Sequence, residues 1–269
     1  MDRFTTPVDE LLADFSRGER LINLIKQFRD FGASQLPGNQ AEADLQWPEA
    51  SALLGECHSR RTDLPIMSGS LLLYLAGRFE FYIRTIIEIA AEEIASQCEK
   101  YSDLPPKLKK ELISRTAEVV QNPRRYGYDE IQVEGFILTL ADGLRASSSI
   151  PSINSACLST TDANMRPDIL ADLFKRIGMD NVWPEIGKQT KTKIHLKVTT
   201  DSDATNHAKG RLNDIMEERN RIAHPTNETT FLGPDQVLEA TKFLRMLAEV
   251  LLDVLRVYMV GFANSRAPA

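Results

Sequence analysis

The chain has 269 residues, 42% of them hydrophobic and 26% charged, and a formal net charge of −6. That length buries a full core as one large domain or as a domain with an appendage. The acidic balance argues against a broad, sequence-independent grip on duplex nucleic acid, which needs a basic footprint, and leaves room for a small local RNA site that engages few phosphates.

Nearly every segment reads as helix. Thr6-Pro7 followed by Asp9 and Glu10 is a start signal, with a cap residue, proline in the first turn and acids behind it. Val8, Leu11, Leu12, Phe15, Leu21, Ile22, Ile25 and Phe28 then form a broken stripe ending near Gly32, with a break expected at Gly18. Asp2 and Arg3 stand where a secretory signal would need apolar residues. Residues 33–64, rich in Pro, Gly, Gln and Ser, read as a linker with one short helix around Pro48 to His58.

Met67 to Lys100 is the strongest element. Leu71, Leu72, Leu75, Phe79, Tyr82, Ile83, Ile86, Ala90 and Ile94 keep 3- and 4-residue spacing, and the segment is apolar on more than one face, as a central bundle helix is. Pro105-Pro106 opens a helix over Lys107 to Gln121, and Asn122-Pro123 a turn. Glu130 to Leu144 fits a helix, or a short strand through Ile131, Val133, Phe136, Ile137 and Leu138. Ser147 to Asn164 reads as loop, Met165 to Ile177 as a helix stopped by Gly178, and Trp183 to Asn206 as a polar stretch with Lys188, Lys191, Lys193 and Lys197. A helix over His207 to His224, a loop over Pro225 to Gly233 and a long last helix from Pro234 to Phe262 complete the chain. Glu249, Asp253 and Arg256 interrupt the last apolar run, so no transmembrane span and no membrane partner are expected.

The informative stretch is Arg219-Asn220-Arg221-Ile222-Ala223-His224-Pro225. Histidine titrates near neutral pH, and the arginine fork fits phosphate. Those groups suffice for metal-free RNA cleavage: one takes the proton of a ribose 2′-OH, the other steadies charge on the phosphate. At 100° per residue, Leu212, Ile215, Met216, Arg219, Ile222 and Ala223 form one stripe. Arg219 therefore occupies a core-like position, where it must find acids or other acceptors, or face a cleft. Asn220 and His224 are four apart and Arg221 is three before His224, so these share a neighbouring face. Pro225 ends the helix at His224. An Arg/Asn/His run of this kind also fits a plain solvated helix end.

Cys57, Cys98 and Cys157 have no metal-ligand spacing and an odd count, which fits buried or free thiols in a reducing, cytoplasmic compartment. No metal and no cofactor are expected.

LNDIMEERNRIAHP, Leu212 to Pro225, resembles the Arg-x4–6-His signature of the HEPN superfamily, with its polar residue after the arginine. GSLLLYLAGRFEFYIRTIIEIA, Gly69 to Ala90, resembles the first long helix of the RiboL-PSP-HEPN branch. INSACLSTTDANMRPDILADLFKRIGM, Ile153 to Met179, resembles that branch's middle region, an Asn-containing loop leading into a helix that ends in Gly. The resemblance covers about residues 65–260 and implies an all-α helical bundle of HEPN type, here with an N-terminal helical extension and linker over 1–60 and the HEPN-like domain over 61–265. It also implies a metal-independent endoribonuclease acting in toxin–antitoxin or anti-phage defence, with RNA as substrate. The working unit would be a homodimer with a composite site, and an antitoxin or other defence-system protein would be a partner. Arg219, Asn220 and His224 match the motif and would be catalytic. The N-terminal extension and the Lys-rich 188–197 insert depart from the family pattern.

Glu80 lies on the stripe Leu73, Ala76, Glu80, Ile83, Ile87 and either orients Arg219 or His224 or pairs locally with Arg84; Arg221 is a second orienting or RNA-contacting candidate. His58, His195 and His207 have no ligand-spaced partners and read as surface residues, while Trp47 and Trp183, each before a proline, read as loop anchors. Arg124-Arg125-Tyr126 and the lysine cluster read as solvated loops with a weaker alternative of phosphate contact. The rivals to catalysis are a non-catalytic HEPN module that binds nucleotide, RNA or a partner protein, and a purely structural subunit of a defence assembly.

Overall fold

The computed structural model describes residues 2–34, 48–59, 63–145 and 152–264, and these are all-helical. The α-helices are α1 (Thr5–Gly32), α2 (Pro48–Ser59), α3 (Leu64–Ser96), α4 (Pro106–Gln121), α5 (Glu130–Arg145), α6 (Ser155–Leu158), α7 (Pro167–Arg176), α8 (Val182–Lys188), α9 (Thr190–Leu196), α10 (Asp201–Ala223) and α11 (Pro234–Asn264). No strand occurs among the described residues, and no helix among them is long and apolar enough to cross a membrane. Trp47, half of the expected linker and the start of the expected Ser147–Asn164 loop lie outside the described residues.

Two compact units form. One is built on Phe79–Asn213 with the two ends of the chain, the other on Leu11–Arg78 and Asp214–Arg245.

In the first unit the core is the C-terminal part of α3. Phe79, Tyr82, Ile83, Ile86, Ile87 and Ala90 are buried together with Leu247, Leu251 and Leu255 of α11. The Tyr82 hydroxyl donates to the Ala248 carbonyl at 3.2 Å, which satisfies a polar group that burial would otherwise penalise. The polar face of α3 carries a ladder. Glu80, Arg84, Glu88 and Glu92 stand four residues apart and so in one column. Glu80 Oε1 accepts the Met165 N–H at 3.2 Å, Arg84 donates to Thr161 Oγ1 at 2.5 Å, and Glu88 and Glu92 accept the hydroxyls of Ser159 and Ser155. The column grips residues 155–165 as they run antiparallel to it.

Asn154 extends that grip. Its Nδ2 donates to the Phe136 carbonyl at 2.8 Å and to Thr116 Oγ1 at 3.2 Å, tying α4 to α5. The strand alternative for Ile131 to Leu138 is overturned. Asp129 Oδ1 accepts the Gln132 N–H at 2.8 Å while Gln132 Oε1 accepts the Asp129 N–H at 3.0 Å, a reciprocal cap that starts α5 as a helix.

The polar stretch after Trp183 is corrected too: it forms α8 and α9 instead of a solvated loop. Its lysines meet carboxylates, Lys188 with Glu185, Lys191 with Glu249 and Lys193 with Asp201. Trp183, expected to anchor a loop, lies in α8 instead, where its Nε1 donates to the Pro167 carbonyl at 2.8 Å. Gly178 ends α7 with φ +97, and the Met179 N–H returns to the Phe174 carbonyl at 3.0 Å. Arg125 pairs with Asp162 at 2.9 Å and Tyr126 donates to Glu118 at 2.7 Å, so this turn is also pinned.

In the second unit α1 runs unbroken through Gly18, against the expected break. A Cβ there would lie 2.7 Å from Leu75 Cδ2, so the glycine serves close helix contact with α3. Asp14, buried on the same face, accepts from the Tyr74 hydroxyl at 2.9 Å, Arg78 at 2.5 Å and Arg17 at 3.1 Å. Burial works to raise its carboxyl, but the Tyr74 and Arg78 hydrogen bonds and the two arginine charges outweigh burial and hold it below the ordinary range. Lys26 and Arg29 meet Asp235, and Arg245 meets Glu19, which ties α1 to α11. Cys57, Cys98 and Cys157 are free and buried, as the spacing implied.

Glu88 makes the ladder sensitive to pH. Burial first, then the nearby Glu92 charge, push its carboxyl up against the Ser159 hydrogen bond and the Arg84 charge. A carboxyl raised on folding contributes stability that is complete below its unfolded value, about 4.3, and is lost as pH rises through the folded value. Glu88→Gln keeps an acceptor for Ser159 without the charge. The variant's melting temperature is expected to gain on the parent's between pH 4 and pH 8; a constant gap would show that Glu88 ionisation carries no strain.

Candidate functional site

α10 ends in the motif. Leu212, Ile215, Met216 and Ile222 are buried, as the stripe required, and Arg219 between them is half-buried. The helix closes at Ala223, and the His224 N–H still reaches the Asn220 carbonyl at 3.0 Å, which sets His224 as the capping residue. The His224 side chain is exposed. Pro225 cannot continue the helix, and its ring drives His224 out of helical geometry.

The two arginines differ. Arg221 is exposed and paired with Glu218 one turn back. Arg219 has no carboxylate partner among the described residues. Its Nη1 lies 3.4 Å from Asn220 Oδ1, and its Nε is buried with no hydrogen-bond partner among the described residues. Of the partners open to a core-positioned arginine, the described residues supply an amide acceptor and no acid. An arginine desolvated on one edge and unpaired is costly in a structural role and suited to an incoming anion.

The loop after His224 is seated by residues that the sequence reading missed. Thr226 and Thr229 close a turn, the Thr226 N–H donating to Thr229 Oγ1 at 2.7 Å. Buried Ser68 on α3 donates to the Leu232 carbonyl at 2.9 Å. Phe231 lies over Gly69 so closely that a Cβ there would fall 2.7 Å from its ring. Pro234 then starts α11, with the Gly233 N–H on Gln236 Oε1 at 3.0 Å. The adjacent small residues Ser68-Gly69, in a helix otherwise rich in large apolar ones, are the sequence signal for this contact.

Glu80 sits in the first unit, held by Met165, while Arg219, Asn220, Arg221 and His224 sit in the second. Its local pair with Arg84 is not made; Arg84 turns to Thr161. Among the described residues no group of His, Cys, Asp and Glu is placed to hold a metal ion. The long stripe of α11 from Val237 to Leu255 is buried within the chain itself, so it is not a free surface for a second copy.

A profile of the family described as RiboL-PSP-HEPN matches residues 49–256, most of the chain. No curated protein and no solved structure matches the chain.

Arg219→Met keeps the apolar stem and removes the unpaired charge. Leaving a buried donor unsatisfied costs about 1–3 kcal/mol, so the variant should melt a few degrees above the parent. His224→Ala should melt with the parent to within about 0.5 kcal/mol, because the side chain is exposed. Thermal melts of the three proteins check both; an Arg219→Met protein that melts well below the parent would make Arg219 a structural tie.

Proposed function

The chain belongs to the RiboL-PSP-HEPN family, and we propose on that footing that it is a metal-independent endoribonuclease whose catalytic residues are Arg219, Asn220 and His224. The observation that carries the reading is the half-buried Arg219, without a carboxylate partner among the described residues, five positions before an exposed histidine at a helix end. HEPN domains are often ribonucleases and commonly pair up, which supports the substrate class and the dimer.

In this reading Arg219 binds the scissile phosphate and stabilises its developing charge. His224 takes the proton of the ribose 2′-OH. The 2′-oxygen attacks phosphorus, the bond to the 5′-oxygen breaks, and that oxygen leaves with a proton supplied by an acid on the opposite side. The products are a 2′,3′-cyclic phosphate and a 5′-OH end. Asn220 holds the Arg219 fork through its side chain and the His224 backbone through its carbonyl. Glu218 neutralises Arg221, which leaves Arg219 as the main phosphate ligand of the motif and fits a protein that engages few phosphates.

One motif supplies one histidine, whereas in-line cleavage wants a base and an acid on opposite sides. A two-fold dimer supplies the second copy without any new sequence. We infer a composite site with both copies of Arg219 and His224 across one cleft. A cytoplasmic toxin or effector role in toxin–antitoxin or anti-phage defence follows from the family resemblance.

His224→Ala should cut RNA cleavage by about 100- to 10,000-fold while leaving the fold intact. Cleavage by the parent should persist in EDTA and stop when the 2′-OH at the cut site is replaced by hydrogen. RNA bound but left uncut would move the chain to the binding-module reading, and activity that disappears in EDTA and returns with magnesium would contradict the mechanism.

Excess His224→Ala chain mixed with parent should lower activity per parent chain as heterodimers form. Activity that follows parent alone, with a monomeric mass in solution, would rule out the composite site.

A further inference from the structure

The second unit presents an apolar groove of about 390 Å³ between α1 and the first turns of α3, lined by Leu21, Leu24, Phe28, Ile66, Met67 and Leu71 among others. Four of these, Leu21, Leu24, Ile66 and Met67, are 43–49% exposed, although each is a large side chain that normally gains by burial. Their spacing is regular. On α1, Arg17, Leu21, Leu24, Phe28 and Phe31 follow a 4-3-4-3 pattern, exposed at the first three and half-buried at the two phenylalanines. On α3, Met67, Ser70 and Tyr74 follow a 3-4 pattern beside the Leu72 and Leu75 core positions. Each helix thus carries a second, unfilled seam of the kind that accepts knobs from a facing helix. The two helices run antiparallel here, as Asp14 meets Tyr74 and Arg78 while Ile25 and Phe28 stand by Ile66 and Met67.

Two observations select the occupant. Four side chains that are each about half-exposed offer much less than the roughly 800 Å² that each partner buries in a stable dimer interface, so one helix laid in the groove suits them better than a second copy. The head of the groove on α1 is basic: Arg20 is exposed with no acidic partner among the described residues, and Arg17, 65% exposed, shares Asp14 with Arg78.

We propose that this groove docks one amphipathic helix of another protein, apolar at every third and fourth position and flanked by acidic residues. The occupant would lie against the turn of α3 that seats the loop after His224, since Met67 and Ser70 line the groove while Ser68 and Gly69 hold Leu232 and Phe231. The surface does not depend on the ribonuclease reading, and its test uses no RNA.

The probe is a labelled synthetic helix of about four turns with leucines at 3-4 spacing and glutamates on both flanks, titrated into the full chain by fluorescence anisotropy. Saturable binding is expected, at least tenfold weaker for Leu24→Glu and for Met67→Glu, and weaker for Arg20→Glu unless the glutamates are exchanged for lysines. These side chains are exposed or nearly half so, and melting within a few degrees of the parent confirms that each variant folds. Hydrogen exchange on the unaltered chain gives a second readout, with probe-induced protection expected over residues 17–31 and 64–74. Equal binding of a scrambled probe, absence of saturation, or unchanged affinity in both groove variants would overturn the proposal. A parent dimer that falls apart on Leu24→Glu would assign the groove to a second copy instead and overturn it equally.

Discussion

The structure depends on one 33-residue helix, α3, being apolar around more than half of its circumference. A helix of this type cannot be left in water, and no single neighbour covers it. Its N-terminal turns supply Leu72, Leu75 and Ala76 to the second unit, and its C-terminal turns supply Phe79 through Ile94 to the first. Its polar residues are used as fully as its apolar ones, since Glu80, Arg84, Glu88 and Glu92 fix residues 155–165, which are irregular beyond the single turn of α6. Such a segment stays ordered only if side chains satisfy its hydrogen-bonding groups.

The candidate site inverts that economy. Within the second unit, Asp14 is met by Tyr74, Arg78 and Arg17, and Asp235 by Lys26 and Arg29. Arg219 alone among the motif's charged groups is held partly out of water with no opposite charge among the described residues. Proteins that bind anions commonly keep such a group, because a preformed carboxylate partner would compete with the ligand. The neighbouring Arg221, exposed and tied to Glu218, shows the ordinary fate of an arginine at a helix end.

The loop from His224 to Gly233 links chemistry to packing. Its entry is fixed by the proline after His224, its middle by the threonine turn, and its exit by the Ser68 hydroxyl and the Phe231 ring on Gly69. The histidine therefore stands at the mouth of a held loop instead of a fraying end. The same small-residue turn of α3 separates this loop from the apolar groove on the other side.

Much of this was legible in the sequence. Period and capping located most of the helices, because the spacing of Leu71 through Ile94 or Val237 through Leu255 admits only helical burial, and Pro106, Gly178 and Pro234 act locally through fixed φ, free φ and a missing N–H. The motif at Arg219 to His224 and its place on a stripe were also readable, since a helix wheel needs no tertiary information. Gly18 was misread because its use is contact with Leu75, some sixty residues away, and local rules see only flexibility. The lysines of 188–197 were misread because Glu249 and Asp201 reach them only after folding. That Glu80 serves Met165, that Arg219 meets no acid among the described residues, and that Ser68 and Gly69 seat the loop after His224 are long-range pairings. Sequence determined which faces had to be buried. Only the tertiary structure decided which charges found partners, because a pairing depends on distances that no local propensity encodes.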